Sequence, residues 1–532
     1  MIILLPVLVL AFGAVLTALL YKFKIKVLVI WGVAIGTTSI VTISSLVMRA
    51  QAPLVLSLAG WSPMGISGDR LVLTFDALSF PYIFCAEILL LAILFTAAVR
   101  VKYQTNPYAW AGSMGLASVA ILSLLSAEIL GFIFTWTILD LVELALLLSM
   151  TEAADGKRQA ALAFFIRFGG TLLAVAAMVV SRSGGVWLSL IQPGNLSTVL
   201  LVLAVGFRLG ILPLHIAYSH EVQLRRGLGL MLRMASPLTA LMLLARLPVA
   251  ALSPATITLL MTFAIISALY GALRWAAGRD VLEVRRYWLL AMTGLAFLTF
   301  LRGDAAASRA WGVAMLCSGS ILFLYTVRDR KLLFIPAVGL LALTGLPFTP
   351  LAAGWTGLLN GTFSFAALAA IVILALLLIG YIRMGLQPGD DFAPFDPWIK
   401  AVYPIGLILL AIAPWVVALM DMPDSFPVAG WWGAVGAVLM AASVEIYLIL
   451  KRIKGIDAPV AISMQPIAQL VMEKVGKFTT MGWFFKIFWH IFRAMQSLIA
   501  VFTGMFEGAG GILWTLVLLA LLLSLLQGRA TP

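Results

Sequence analysis

Long apolar runs divided by short polar breaks make up almost the whole chain. Windows of roughly twenty apolar residues, the length a helix needs to cross a bilayer, fall at 2–21, 27–48, 78–99, 109–127, 129–150, 159–181, 197–218, 228–249, 255–276, 286–301, 307–327, 332–358, 363–383, 400–420, 430–450 and 510–527. The pattern predicts an all-α polytopic membrane protein with about sixteen transmembrane helices. Residues 459–505 are different. In "WFFKIFWHIFRAM", Lys486, His490 and Arg493 form one polar stripe on an aromatic helix. Such a helix prefers the membrane interface, so a lateral amphipathic helix is expected before the final span. A spanning helix with its stripe turned inward is the alternative.

The breaks alternate in charge. Cations follow the odd-numbered windows: Lys22, Lys24 and Lys26; Arg100 and Lys102; Lys157 and Arg158; Arg225 and Arg226; Arg274, Arg279, Arg285 and Arg286; Arg328, Arg330 and Lys331. Arg383 and Lys400 flank the loop after the thirteenth window, and Lys451, Arg452 and Lys454 follow the fifteenth. Loops after even-numbered windows are poor in cations. The positive-inside rule therefore places the N-terminus outside and the odd loops in the cytoplasm of an inner-membrane protein.

Composition agrees with lipid as the solvent. The 532 residues are 63% hydrophobic and 11% charged, with a mean hydropathy of +1.10. The net charge of +13 would suggest nucleic acid in a soluble protein, but here it is carried by orienting loops. Cys85 and Cys317 lie inside apolar runs, which argues against disulfides, iron–sulfur ligation and cysteine zinc sites. The first run lacks a basic leader and a cleavage site and reads as a first span. No nucleotide loop, metal cluster or nucleophile arrangement is visible, so neither a cofactor nor a metal is expected.

Two segments break the apolar rule in the same way. "GFRLGILPLH" carries Gly206, Arg208, Gly210, Pro213 and His215, and "LTGLPFTP" carries Gly345 and Pro347. Proline removes a backbone donor and clashes one turn back, so each span should be interrupted there. Freed carbonyls at membrane depth are tolerated only within protein or beside water. A pair of interrupted helices in corresponding halves points to a transporter built from two inverted repeats, although either alone could be a plain kink. Glu87, Asp140, Glu143, Arg167, Arg208, Arg233 and Glu445 also fall inside windows. A charge at the bilayer centre costs about 3 kcal/mol on insertion scales, so these groups should face inward and find partners. Asp140 and Glu143 lie one turn apart on one side of their helix, with Arg208 a natural partner. Arg167, Arg233 and Glu445 have snorkelling or static pairing as alternatives.

These residues carry a resemblance. The chain resembles the antiporter-like membrane subunits shared by respiratory complex I, multi-subunit cation/proton antiporters and membrane-bound hydrogenases. "WSPMGISGDRLVLTFDALS", with Asp76 and Ser79, is similar to the family's segment before its third helix. "SAEILGFIFTWTILDLVELALLLS" resembles the fifth helix, "AALAFFIRFGGTLL" the sixth, "VGFRLGILPLH" the broken seventh and "LTGLPFTPLAAGW" the broken twelfth. "GRDVLEVRRYW" stands at the family's Asp-x-Lys-Arg turn and keeps Asp280 and Tyr287.

The resemblance implies five regions: N-terminal helices (1–108), a first repeat (109–250), a second repeat (251–384), C-terminal helices (385–458), and the lateral helix with the final span (459–532). It also implies a polar axis, and here the chain departs from the family. Thr137 follows Trp136 where the family has a glutamate, Arg208 replaces a lysine, and Arg233 stands at a frequent histidine position. The eleventh window has no ionisable side chain at the family's histidine or lysine, and Trp355 takes the twelfth-helix lysine or glutamate position. Proton relays need groups that change protonation near neutral pH. Arginine, with a pKa above about 12, sets a field but passes no proton.

The expected function is a proton- or Na+-translocating subunit of a complex I-related respiratory complex. Its ion-translocation candidates are Asp140, Glu143, Arg208, His215 and Arg233, on an eroded axis. Its partners would be other hydrophobic subunits, lipids and, in some complexes, a hydrophilic redox arm, but not nucleic acid. The alternatives are a non-conducting structural or coupling subunit of the same fold and the membrane partner of an inorganic-carbon uptake system. Any enzymatic role would be as one subunit of a translocase of the NADH–quinone oxidoreductase type, with the redox centres on other chains.

Overall fold

The computed structural model describes residues 2–453 apart from 59–70, 102–105, 152–153, 184–189, 191–192, 213, 215–225, 279, 360–363 and 422–430, and beyond them only His490 and Arg493. Fifteen α-helices run in order: α1 (Leu5–Lys22), α2 (Val27–Ala50), α3 (Phe80–Thr96), α4 (Pro107–Leu124), α5 (Ile129–Met150), α6 (Ala154–Ser183), α7 (Asn195–Leu209), α8 (Arg226–Arg246), α9 (Pro254–Ala277), α10 (Val281–Leu301), α11 (Ala305–Leu324), α12 (Phe334–Leu343), α13 (Phe365–Gly385), α14 (Pro397–Asp421) and α15 (Trp431–Ile453). Each sits on one of the first fifteen apolar windows. Twelve are long and apolar enough to cross a membrane, so this is a multi-pass membrane protein. The lateral helix and the sixteenth window lie outside the described residues.

Local chemistry sets the helix starts. Asn106, Ser253, Asp280, Asp304 and Ser364 each accept a hydrogen bond from a first-turn backbone N–H, at the heads of α4, α9, α10, α11 and α13. These bonds satisfy donors that would otherwise be orphaned in lipid. The Asp280 cap corrects one loop assignment. It starts α10 at Val281, so Arg285 and Arg286 belong to that helix and not to the cationic loop, and Arg285 is fully buried.

Between α2 and α3 the chain also forms a hairpin, β1 (Leu54–Leu58) paired antiparallel with β2 (Leu71–Phe75). Backbone bonds from Thr74 to Leu125 and from Ala127 to Val72 tie it to the end of α4. Asp76 and Ser79 then form a reciprocal cap on α3. Asp76 Oδ1 accepts from the Ser79 N–H at 2.9 Å, and Ser79 Oγ accepts from the Asp76 N–H at 2.9 Å.

Burial separates the middle of the bundle from its rim. The apolar stretches of α8, α11 and α3 are 100%, 94% and 89% buried, against 22% for α15 and 28% for α2. The first three pack on one another and form the core around which the two broken segments are placed.

Candidate functional site

The α7 break begins at the predicted position. Gly210 takes a left-handed φ of 79° and ends the helix at Leu209, a conformation that costs residues with a Cβ roughly 1–2 kcal/mol. The N–H groups of Ile211 and Leu212 both turn back to the Gly206 carbonyl, at 3.0 and 3.1 Å. With 15 residues, α7 is about 22 Å long and falls short of a hydrocarbon core of about 30 Å. Pro213 and His215 lie outside the described residues.

Arg208, in the last turn of α7, points into the bundle and is fully buried. Its Nη1 donates to Asp140 Oδ2 at 2.7 Å and its Nη2 to Asp140 Oδ1 at 2.9 Å, a bidentate fork. Nη1 also reaches Thr171 Oγ1 at 3.3 Å. The guanidinium lies 4.4 Å from the centroid of the Trp136 ring, a cation–π contact worth about 2 kcal/mol when desolvated. Trp136, Asp140 and Glu143 share one face of α5, one turn apart.

Arg167 on α6 completes the group. Its Nε donates to Asp140 Oδ1 at 3.2 Å, and its Nη2 lies 2.9 Å from Glu143 Oε2. Asp140, Glu143, Arg167 and Arg208 all have fully buried side chains. Two carboxylates thus face two guanidiniums in a site of low dielectric, where an uncompensated charge is strongly disfavoured. Arg233 on α8, also buried, acts electrostatically on Glu143. The carboxylates are unequally held. Asp140 accepts three guanidinium hydrogen bonds, whereas neither oxygen of Glu143 has a hydrogen-bond partner among the described residues, and Arg167 holds it as an ion pair.

Arg167 is the member that sequence reasoning left among possible static or snorkelling residues. The signal for it was the adjacent glycine pair in "FFIRFGG". A Cβ on Gly170 would stand 2.8 Å from the Ala204 carbonyl and 3.1 Å from Arg208 Cγ. Glycine therefore lets α6 lie directly against α7 and brings both arginines to the same carboxylate.

The other membrane-depth carboxylates stand apart. Glu87 on α3 accepts from Ser45 Oγ at 2.6 Å, and Glu445 on α15 is half-buried with Arg383 acting on it.

The second break has a different filling. After α12 the chain turns through Gly345 (φ 70°) and Phe348 (φ 66°), which flank Pro347, and re-forms a short turn at Ala352–Trp355. Thr349 donates through both its N–H and its Oγ1 to the Leu346 carbonyl. The Trp311 indole on α11 donates to the Gly354 carbonyl at 2.9 Å, and its ring lies 6.1 Å from that of Trp355. Behind them, Trp288 donates to the Met315 carbonyl at 3.1 Å and Trp275 to the Leu377 carbonyl at 3.0 Å. Trp275, Trp288, Trp311 and Trp355 are all fully buried. Here aromatic N–H groups fill the interior, and charged side chains bond the chain just after Trp355, where Asp304 accepts from Thr356 and Arg302 donates to the Gly357 carbonyl.

With this geometry in view, solved structures supply a frame. A chain of respiratory complex I from Thermus thermophilus aligns with a TM-score of 0.60 and 18% identity, over 78% of this chain and 98% of its own length. A chain of an archaeal membrane-bound sulfane sulfur reductase, a respiratory membrane complex, aligns at 0.67 and 14% identity, over 98% and 99%. The protein has the antiporter-like membrane-subunit fold. A chain of the Mrp complex from Dietzia sp. shares that fold at 0.67 and 14% identity, over 94% of this chain and 63% of its own. No protein-family model matches the sequence, and no curated protein is significantly similar to it.

Proposed function

We propose that the protein is the antiporter-like subunit of a multi-subunit membrane complex, in which a proton or small cation is handled at Glu143. The observation that carries this reading is the buried Asp140–Arg208–Arg167–Glu143 cluster beside the α7 break. In it Asp140 is the fixed counter-ion, held by two arginines. Glu143 is the exchanging group, since it is held by the Arg167 ion pair and neither of its oxygens has a hydrogen-bond partner among the described residues. The arginines supply the field and pass no proton. Charge moving onto or off Glu143 changes the balance felt by Arg167, Arg208 and Arg233, and that change is the signal a neighbouring subunit would read. We further propose that the N-terminus faces outward and that the cation-rich loops face the cytoplasm, with the chain divided into repeats at 109–250 and 251–384.

A second reading, a coupling subunit that conducts no ion across the whole membrane, is favoured by the tryptophan filling around the α12 break. Proton flux in proteoliposomes, comparing wild type with Asp140→Asn and Glu143→Gln, separates the two. Loss of at least tenfold of the flux in Glu143→Gln supports exchange at Glu143. Equal flux in all three proteins removes the cluster from the path, and wild-type flux no greater than that of empty liposomes establishes the coupling reading.

A further inference from the structure

Glu87 belongs to no part of the carboxylate cluster. It is fully buried on α3, about 10 Å along the helix from its start. Ile83, Leu90 and Leu91, on the adjacent turns of the same side, are buried apolar residues. Its polar neighbour is Ser45 on α2, also fully buried. Ser45 ends a row of hydroxyls on the inner face of that helix. Thr38 and Thr42 donate to carbonyls one turn back, Ala34 at 2.8 Å and Thr38 at 3.1 Å. Ser45 donates instead to Glu87 Oε1, at 2.6 Å. Glu87 Oε2 is buried with no hydrogen-bond partner among the described residues.

The cations around α3 are engaged elsewhere. Arg49, one turn beyond Ser45, reaches the Met420 carbonyl at 3.5 Å. On α8, Arg246 pairs with Asp76 at 3.1 Å and Arg233 acts on Glu143. Arg309 on α11 donates to the Ala77 carbonyl at 2.9 Å. Arg100, Tyr108, Lys400 and Tyr403 belong to the other end of α3, past the level where Gly406 on α14 packs against Ala92 and Phe95. The nearer groups are weak acids: Tyr82 and Cys85 on α3 itself, and the Cys317 thiol on α11, hydrogen-bonded with Cys85. An ionised carboxylate here would be a buried charge held by a single hydroxyl, and a neutral acid costs far less. A serine hydroxyl has one proton to give. Its bond therefore makes Oε1 the carbonyl oxygen and leaves the acid hydrogen to Oε2.

We propose that Glu87 is a second proton-binding site of this chain, loaded at neutral pH on Oε2 while Ser45 holds Oε1 as the carbonyl. It lies between α2 and α3, not among α5, α6 and α7, and it stands whether or not Glu143 exchanges an ion.

Infrared difference spectroscopy of the full chain in lipid, wild type minus Glu87→Gln at about pH 7, tests this. Wild type should show the carbonyl stretch of one protonated carboxyl, shifted down in D2O and lost in the variant. Ser45→Ala should keep that band and raise its frequency, because Oε1 loses its donor. This milder change gives the reading if Glu87→Gln fails to fold. Thermal unfolding is the second readout. An unfolded glutamate gives up its proton above about pH 4, so a folded state that keeps it loses stability as pH rises. Glu87→Gln has no proton to keep, and its midpoint should gain on that of wild type from about pH 5 to about pH 8. Carboxylate stretches in place of the acid band, an acid band that Ser45→Ala leaves unmoved, or a midpoint difference constant with pH each overturn the proposal. Glu143→Gln should leave the Glu87 band in place whatever it does to flux, so the two sites fail separately.

Discussion

At the α7 break, the last-turn arginine is gripped by a carboxylate, shared with a second arginine and laid over an indole ring. At the α12 break, an indole N–H reaches a carbonyl and tryptophans fill the space behind it. The two breaks begin alike, each with a left-handed glycine just past the end of an apolar helix, yet their surroundings differ in kind. One interior stores opposed charges, whose balance a single proton would tip. The other satisfies its backbone largely with neutral donors and leaves the Cys317 thiol as the one titratable side chain on α11 between Arg309 and the end of the helix. An interrupted helix is thus no proof of an ion path. What lines the interruption decides whether charge can enter it.

The sharpest way to break this comparison is to unbalance the charged side. Asp140→Ala leaves Arg208 and Arg167 facing each other without their shared counter-ion, and a loss of about 3–5 kcal/mol is expected, read as a lower thermal unfolding midpoint in detergent. Asp140→Leu combined with Arg208→Met should recover most of that loss, because paired apolar replacements remove both charges together. If the single variant is as stable as wild type, the cluster is not an electrostatic unit.

On the aromatic side, Trp311→Phe deprives the Gly354 carbonyl of its donor and should cost about 1–3 kcal/mol in the same measurement. It should leave any flux through Glu143 unaltered. A parallel fall in flux would show that the two breaks act together.

Gly345→Ala comes next, at about 1–2 kcal/mol for a side chain in the left-handed region. A Cβ there would also meet the Trp355 ring carbon Cδ1 at 2.8 Å. The smallest effect belongs to Thr171→Val, which removes one hydrogen bond from Arg208 and should cost about 0.5–1.5 kcal/mol.

Much of this was legible in the sequence, because lipid leaves few options. Apolar runs must become helices, and all fifteen described helices lie on runs that hydropathy picked out. Charges inside such runs are rare enough to stand out, and so Asp140, Glu143 and Arg208 could be named together. Arg167 was harder to assign. A lone arginine within a span has several innocuous explanations, and its partner sits 27 positions away on another helix. The hairpin escaped because "LVLSL" and "LVLTF" are apolar on both faces, so their period-two alternation is faint beside the neighbouring runs. The start of α10 was missed because Arg285 and Arg286 read as loop cations, although Asp280 caps a helix that carries them inward. The filling of the second break was half visible. Trp355 could be seen where a charged residue was expected, but the carbonyl that each indole would find depends on packing that periodicity does not encode.

The glycine at position 170 gives the charged interior an unusual vulnerability. Its grip depends on a seam only one hydrogen atom wide, between a bare α-carbon and the opposite backbone. A methyl group there, neutral and chemically inert, would act as a wedge and pry the guanidinium of Arg208 from its fork without altering a single charge. The charge balance of this site is therefore set as much by clearance as by ionisation, and a purely steric change is a direct route to disrupting it.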